Sequence, residues 1–264
     1  MDASKKTQTP PVLEIDQVTK SFGPIRALRG VSFDVNRGEV VGLVGDNGAG
    51  KSTLVKLVAG VYPPSTGEIR LEGKPIDFSS PADARNLGIE TVYQDLALCN
   101  NLDVPANLFL GRELIAGGLG RFFGVLRSRK MKELSLTAIR DLHIIIPGFA
   151  DSVIGEMSGG QRQAVAIARA SYWQSKLLLL DEPTAALGVK ESAEVRRIIQ
   201  DTAEQGLPMI LISHNMEEVW DLCNVIVVLR QGHHVATLAK METTPEEIVG
   251  HITGAISASK QRAE

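Results

Sequence analysis

The sequence has few cysteines, few aromatic residues and no long apolar run. Its two cysteines, Cys99 and Cys223, have neither C-x-x-C spacing nor a histidine cluster, which favours buried inert thiols in a reducing compartment over a disulfide framework. Apolar runs such as Val225–Leu229 are far too short to span a bilayer. Residues 1–7 have no apolar core, so we expect no secretory signal. Any role at a membrane must therefore come through a partner.

The chain also lacks an excess of charge of either sign. Its 28 basic and 31 acidic residues give a net charge of −3, so the chain lacks the excess of positive charge that is typical of nucleic-acid-binding proteins. A hydrophobic content of 44% and a charged content of 22% are typical of an ordinary globular protein. The 264 residues suffice for one or two domains with a sizeable core.

One glycine-rich stretch matches a phosphate-binding loop. Residues 45–52 read GDNGAGKS, the G-x-x-x-x-G-K-[ST] pattern, between a short apolar run at 39–44 and a segment at 53–59 with helical periodicity. In such a loop the glycines let backbone N–H groups close around phosphate oxygens, and the helix N-terminus adds partial positive charge. Lys51 would reach the β- and γ-phosphates, and the Ser52 hydroxyl would bind Mg²⁺. A glycine-rich turn with a solvated lysine is the alternative.

Polar residues also follow three other predicted strands. Asp181 ends the apolar run at 177–180, where its carboxylate can hold Mg²⁺ opposite Ser52, or else cap a helix. Glu182 would point the other way if the strand geometry continues, placed to polarise the attacking water, or else be an ordinary surface carboxylate. Gln94 and His214 also stand at strand ends. There a glutamine can orient water or touch the metal and a histidine can donate to the γ-phosphate, although each alone is more often structural.

A second potential phosphate site begins at Ser158. The run Ser158-Gly159-Gly160-Gln161 opens an alanine-rich helix with a capping box, and its glycines and helix dipole favour an anion. One chain cannot easily aim two helix N-termini at the same γ-phosphate. The pattern therefore predicts a dimer with ATP between the two chains.

The remaining pattern predicts an α/β fold with its ligand at the carboxyl edge of a sheet. Strands are predicted at 12–19, 25–35, 68–71, 88–93, 209–213, 225–229 and 233–237, and helices at 81–86, 104–110, 131–142 and 190–205. Asn215 is expected to cap a further helix. Residues 95–158 show no clear strand except one candidate at 144–146, which suggests a helical insertion. The tails at 1–11 and 254–264 are expected to be disordered or flexible.

Together these residues resemble the ATP-binding subunits of ABC transporters, from about Val12 to Ala239. Residues 45–52 resemble the Walker A motif, Met157–Gln161 the signature motif, and Leu177–Asp181 with Glu182 the Walker B motif and catalytic glutamate. Gln94 stands at the position of the Q-loop glutamine, His214 at that of the switch histidine, and Phe22 at that of the aromatic residue that stacks on adenine. Met157 stands where the family usually has leucine.

The resemblance implies a P-loop NTPase (RecA-like) core with an N-terminal antiparallel β region and a helical insertion. A single ATPase domain would span 12–253, with its core at 12–94 and 165–253 and its helical subdomain at about 95–164. It implies catalytic roles for Glu182, His214 and Gln94, and Mg²⁺ binding by Ser52, Gln94 and Asp181. The implied ATP-binding residues are Phe22, Gly45, Asn47, Gly48, Ala49, Gly50, Lys51, Ser52, Thr53, Ser158, Gly159, Gly160 and Gln161.

Within the family, the segments at 88–94 and 182–191 resemble the ATPases of simple-sugar importers of the ribose and xylose type. Those importers commonly carry two fused ATPase domains, whereas this chain has one, so a homodimer is implied. Gly188 replaces the D-loop aspartate of most members. The implied partners are an integral membrane permease and, indirectly, a sugar-binding protein, at the cytoplasmic face of the membrane.

Other functions of the same ATPase stay open at the level of sequence. A soluble nucleotide-gated scaffold is one rival, although the coiled coils or basic surface of such proteins are absent. A non-hydrolysing ATP sensor is disfavoured, since Lys51, Asp181, Glu182 and His214 are all present. A different cargo, or export in place of import, would leave the ATP site unchanged.

Overall fold

Two β-sheets form the framework of the protein, in a computed structural model that describes residues 10–118, 122–144, 152–173 and 175–256. The strands are β1 (Leu13–Phe22), β2 (Ile25–Val35), β3 (Val40–Val44), β4 (Thr66–Leu71), β5 (Lys74–Pro75), β6 (Ile89–Val92), β7 (Leu177–Asp181), β8 (Met209–Ile212), β9 (Val225–Arg230) and β10 (His233–Ala239). One sheet is antiparallel, with the order β2-β1-β4-β5. The other has the order β10-β9-β3-β8-β7-β6 and is parallel except for β10.

Helices cover the parallel sheet and build the insertion. They are α1 (Lys51–Val58), α2 (Pro81–Asn86), α3 (Val104–Leu108), α4 (Ser128–Asp141), α5 (Gly159–Tyr172), α6 (Val189–Glu204), α7 (Met216–Leu222) and α8 (Pro245–Thr253). The predicted elements, apart from the strand candidate at 144–146, are confirmed with ends that differ by at most three residues. Both the α/β class and the N-terminal antiparallel region are as expected.

The strands of the parallel sheet are buried on both faces. In β3, Val41 and Leu43 pack with the antiparallel sheet and α1, whereas Val40 and Val44 pack with helices on the opposite side. The same alternation recurs in β7, β8 and β9. Because successive side chains of a strand point to opposite faces, two covered faces require an uninterrupted apolar run. This explains why these strands stand out in the sequence.

The inward face of α6 is the predicted one. Val195, Ile198, Ile199 and Thr202 are buried, and the Thr202 hydroxyl donates to the Ile198 carbonyl at 2.6 Å. Asn215 also caps α7 as expected, because its side-chain oxygen accepts from the backbone N–H groups of Glu217 and Glu218.

The insertion contains more backbone pairing than its sequence suggested. Asp103 pairs with Val153, and Ile115 pairs with Leu126, each as an isolated antiparallel bridge. Such single pairs lack the alternation that marks a full strand, so the sequence gives no signal for them. The strand candidate at 144–146 falls mostly outside the described residues. Helix α5 runs unbroken across the proposed boundary at residue 164, so core and insertion share this helix.

A helix near the C-terminal end was missed by the sequence analysis. In α8, the Thr244 side chain accepts from the Glu247 N–H, proline occupies the first turn, and Gly254 ends the helix in a left-handed conformation. These are the usual start and stop signals of a helix, so the sequence did hold the information. Of the expected tails at 1–11 and 254–264, residues 1–9 and 257–264 lie outside the described residues. The Ile256 N–H still donates to the Gly250 carbonyl.

Both cysteines are free, but only Cys223 is fully buried; Cys99 is half-buried. Burial raises the pKa of the Cys223 thiol, which keeps it protonated and unreactive. Across the described ranges, no helix combines the length and apolarity needed to cross a membrane.

Helix α7 approaches β3 closely at Gly42. A Cβ placed on Gly42 would lie 2.8 Å from Cys223 Sγ and 3.0 Å from Val219 Cγ1. Both distances are shorter than a relaxed van der Waals contact, so only glycine allows this approach.

We expect Gly42→Ala to lower the free energy of unfolding by about 1–3 kcal/mol through overpacking. Cys223→Ala alone should also destabilise, since it leaves a small cavity. In the double variant the two losses should be less than additive, because removing Sγ makes room for the new methyl group. Urea unfolding of the four proteins measures this coupling, and strict additivity would contradict the assigned contact.

Candidate functional site

The phosphate loop connects β3 to α1 in a conformation that only glycine permits at two points. Gly45 has φ +147°, and a Cβ there would collide with the Leu229 carbonyl oxygen. Gly50 has φ +107° and caps α1 without a side-chain hydrogen bond. The first N–H groups of α1 are therefore not covered by a capping side chain, and a helix N-terminus of this kind attracts an anion.

The loop lines one wall of a cavity of about 630 Å³. The opposite wall comes from the ends of three parallel strands, and Ala27 of β2 contributes from the antiparallel sheet. The lining residues are Ala27, Gly45, Asn47, Gly48, Ala49, Gly50, Lys51, Ser52, Thr53, Gln94, Asp181, Glu182, Ile212 and His214. The structure thus brings together the phosphate loop and all four strand-end residues singled out in the sequence.

Lys51 is held inside the loop by two backbone carbonyls. Its ammonium donates to the oxygens of Gly45 at 2.6 Å and Asp46 at 3.0 Å. Burial lowers the pKa of Lys51 from its ordinary value, while the carboxylates of Glu182, Asp46 and Asp181 act in the opposite direction. The ammonium therefore lies beside the loop amides, where phosphate oxygens would sit.

Asp181 and Glu182 both face the cavity, which corrects the expected divergence of the two side chains. Strand β7 ends at Asp181, and Glu182 adopts φ +54°, a left-handed conformation that breaks the alternation. The Glu182 N–H nevertheless donates to Ile212 of β8 at 2.9 Å, so its backbone is anchored. A non-glycine residue in this conformation is strained, and such strain is common where a side chain is aimed at a reacting group.

Glu182 is paired with His214. The Nδ1 atom of His214 lies 2.6 Å from the Glu182 Oε2 atom, and the carboxylate is only 19% exposed, whereas the imidazole is 77% exposed. The contact orients the carboxylate and fixes which ring nitrogen faces it. It leaves the other nitrogen of His214 available for a ligand in the cavity.

The donors around the cavity are those that magnesium prefers. The Ser52 hydroxyl, the Gln94 amide and the Asp181 carboxylate are hard oxygen ligands. Burial and the neighbouring Glu182 raise the pKa of Asp181, against the effect of Lys56 and Lys51. Because a nearby cation favours the charged form of a carboxylate, a bound metal ion would relieve this penalty.

Gln94 is followed by a strained turn that sequence reasoning did not single out. Leu96 and Ala97 have φ values of +55° and +48°, although neither is glycine. Arg169 of α5 donates to both of their carbonyls, at 3.0 and 2.7 Å. Burial lowers the pKa of Arg169, and Glu90 acts against this shift. No local pattern pairs residues more than 70 positions apart, so only the structure reveals this link.

Ser158 caps α5 as predicted. Its side chain accepts from the Gln161 N–H at 3.3 Å, and the Gln161 side chain accepts from the Ser158 N–H at 3.0 Å. The two glycines also have a packing role, because a Cβ on Gly159 would lie 2.8 Å from Leu187 Cδ2 and one on Gly160 would lie 3.0 Å from Glu191 Cβ. In the part of the chain that the structure describes, residues 158–161 do not line the phosphate-loop cavity.

Phe22 lies at the end of β1, before the turn into the strand that carries Ala27. Its ring packs edge-on against Tyr62 with centroids 5.3 Å apart, and the Lys20 ammonium lies 5.4 Å from its centroid. The side chain is 40% exposed and is separate from the lining of the cavity. Its stacking on adenine stays a prediction.

Comparison with known proteins agrees with this geometry. The profile of the ABC transporter family matches residues 28–185. The chain is 43% identical to a fructose import ATP-binding protein of Rhizobium meliloti, over 93% of this chain and 95% of that one. It is 46% identical to a xylose/arabinose import ATP-binding protein of Sulfolobus acidocaldarius, over 92% and 94% of the two chains. It spans only 46% of a ribose import ATP-binding protein of Yersinia pestis, at 40% identity.

The fold has a close counterpart among solved structures. A nucleotide-free ATP-binding cassette from an ABC transporter superimposes with a TM-score of 0.76 at 26% identity, over 93% of this chain and 96% of that one. The resemblance drawn from the motifs is thereby confirmed. The chain belongs to the ABC transporter family, as one of its ATP-binding cassettes.

Proposed function

We propose that this chain hydrolyses Mg-ATP as a homodimer and drives the uptake of a monosaccharide through a membrane permease. The observation that carries the ATPase part is the convergence of Lys51, Asp181, Glu182 and His214 on the cavity behind the phosphate loop. Sugar uptake is supported by near-full-length relatives that are named as import ATP-binding proteins for fructose and for xylose or arabinose.

In the proposed reaction, Glu182 orients and deprotonates the water that attacks the γ-phosphate in line. His214 holds the carboxylate through the 2.6 Å contact, and its second ring nitrogen donates to the γ-phosphate. Lys51 and the loop amides neutralise the charge of the phosphates. Ser52, Asp181 and Gln94 would hold Mg²⁺, which when bound would supply positive charge that stabilises the phosphates.

The second half of each ATP site is proposed to come from another copy of the chain. Residues 158–161 present a capped helix N-terminus away from the lining of their own phosphate-loop cavity. Two chains facing each other would place each such N-terminus on the γ-phosphate held by the partner. ATP would then close the dimer, and hydrolysis would reopen it.

The permease is proposed to dock in a second cavity, of about 460 Å³, between the core and the insertion. Leu110, Arg112 and Trp173 lie on one side of this cleft, and Glu90 and Arg85 lie on the other. Arg112 donates to Glu90 at 2.8 Å, and its guanidinium lies 4.9 Å from the Trp173 ring centroid. A cleft that combines apolar side chains with ordered charges suits a short helix of a partner protein.

We expect Glu182→Gln to lower ATP turnover by a factor on the order of 10²–10⁴, because the amide cannot accept a proton. Binding of ATP should persist, so the variant should accumulate as a stable ATP-bound dimer. Phosphate release and size-exclusion chromatography measure the two effects. Glu217→Gln is the control, since the Glu217 side chain is 77% exposed and its carboxylate lies 3.9 Å from the Arg196 guanidinium. Near-normal turnover by Glu182→Gln would refute the assigned base.

The shared site can be tested by mixing two defective chains. Lys51→Ala should weaken ATP binding, and Ser158→Arg should block closure while leaving the phosphate loop intact. Each variant alone should be almost inactive. A mixed dimer contains one site with an intact loop and an intact Ser158, so the mixture should recover part of the wild-type activity. If both halves of a site came from one chain, mixing would restore nothing.

The membrane partner can be tested by purifying the chain in mild detergent from its own membranes. A polytopic membrane protein should accompany it in near-equal amount. Leu110→Glu, on a side chain that is 45% exposed in the cleft, should abolish this association. Val249→Glu in α8, also 45% exposed, should not. Recovery of the wild-type chain alone, or with a soluble complex, would refute the transport function and leave the ATPase.

A further inference from the structure

An exposed aromatic pair lies in the helical insertion. Phe122 and Phe123 are 84% and 72% exposed, and their rings meet edge-on with centroids 5.3 Å apart. Val125 and Leu126 follow, with 52% and 47% of their surfaces exposed. Every residue from Phe122 to Lys130 is exposed. A contiguous apolar patch of this kind on a globular protein is typical of a surface that meets another phase or partner.

A paired stem presents these residues. The Ala116 N–H donates to the Val125 carbonyl at 2.8 Å, and the Arg127 N–H donates to the Leu114 carbonyl at 2.7 Å. The stem follows directly after Leu110–Arg112, which line the cleft proposed for the permease. The aromatic pair is therefore tied to the side of the protein that would face the membrane.

The charges beside the aromatic pair are mostly positive. Arg127, Arg129, Lys130 and Lys132 follow within ten residues, and no acidic residue occurs between Glu113 and Glu133, although the whole chain has a net charge of −3. Arg129, whose side chain is 95% exposed, and Lys130 lie 3.5 and 3.9 Å from the same Glu133 carboxylate. Exposed pairs of this kind contribute little, so Arg129 and Lys130 stay available to an external anion.

We propose that this surface, the basic aromatic tip (Phe122, Phe123, Arg127, Arg129 and Lys130), binds the anionic lipid headgroups of the membrane that holds the permease. Phenylalanine rings enter the boundary between headgroups and acyl chains, and neighbouring arginine and lysine side chains bind the negative surface. The proposal rests on the proposed function, which brings the chain to a membrane. The excess of positive charge around the aromatic pair, with Glu133 as its one acidic neighbour in the stretch 114–133, selects an anionic lipid surface as the occupant.

The tip would bind the membrane weakly. Two aromatic rings and three cations give reversible binding, since stable anchoring needs more apolar area than two rings provide. The tip would orient the ATPase on the bilayer, while the permease cleft supplies the specific attachment.

Sedimentation with vesicles tests this proposal on the full-length chain. Vesicles of phosphatidylcholine with one third phosphatidylglycerol should bind the protein, and pure phosphatidylcholine vesicles should not. Binding should fall as salt rises from 50 to 500 mM, because screening shortens the reach of the charges. The triple variant Arg127→Gln, Arg129→Gln and Lys130→Gln should bind anionic vesicles on the order of a hundredfold less tightly.

The aromatic pair has its own test and a matched control. The double variant Phe122→Ser and Phe123→Ser should also lose vesicle binding, whereas Met241→Ser, on a side chain that is 94% exposed, should not. ATP hydrolysis in detergent and association with the permease in detergent should be unchanged in the tip variants. Failure of the lipid proposal can therefore be told apart from failure of the proposed transport function. If the transport function were wrong, the association with a permease would be missing in detergent as well.

Two results would overturn the lipid assignment. One is that the wild-type chain does not bind anionic vesicles, or that the tip variants bind them as tightly as the wild type does. The other is a tip variant that loses the permease in lipid-free detergent, which would make an acidic loop of the permease the occupant.

Discussion

The parallel register of β3, β8 and β7 is the constraint on which the site depends. Leu43 pairs with Ile212, and Ile212 pairs with Asp181, so the three strands end at the same level of the sheet. The phosphate loop begins directly after β3, Glu182 directly follows β7, and His214 lies two residues after the end of β8. Slipping a strand by one residue would turn its buried side chains to the wrong face, so hydrophobic packing fixes the register. The hydrophobic core therefore fixes the positions of the residues around the cavity.

Strain is concentrated around the same edge. Glu182 is held in a left-handed conformation beside His214, and Leu96 and Ala97 adopt the same conformation after Gln94. Each costs conformational energy that surrounding contacts must offset. Glu182 is held by its hydrogen bond to Ile212, and Leu96 and Ala97 are held by Arg169. Hydrogen bonds thus hold the backbone of both segments that would sense the γ-phosphate.

Local patterns predicted most of the fold, because its information is local. The apolar runs of β7 and β8, the glycines of the phosphate loop and the cap at Ser158 each act within a few residues. Helix α8 was missed although Thr244 and Gly254 mark its ends. The direction of the Glu182 side chain could not be predicted, because a backbone dihedral set by neighbouring strands decides it. The pairing of Arg169 with Leu96 and Ala97 could not be predicted either, since it joins distant parts of the chain.

Arg169 also has a mechanical consequence. Arg169 lies near the C-terminal end of α5, which is capped by Ser158 at its other end. Its guanidinium donates hydrogen bonds to the turn that follows Gln94. The N-terminus of α5 would contact the nucleotide bound by a partner chain. Near its C-terminus, the same helix is attached through Arg169 to the turn beside the nucleotide site of its own chain. The same helix would then contact two ATP sites that are not in direct contact with each other. In the proposed dimer, binding at one ATP site would therefore be coupled to the turn beside the other.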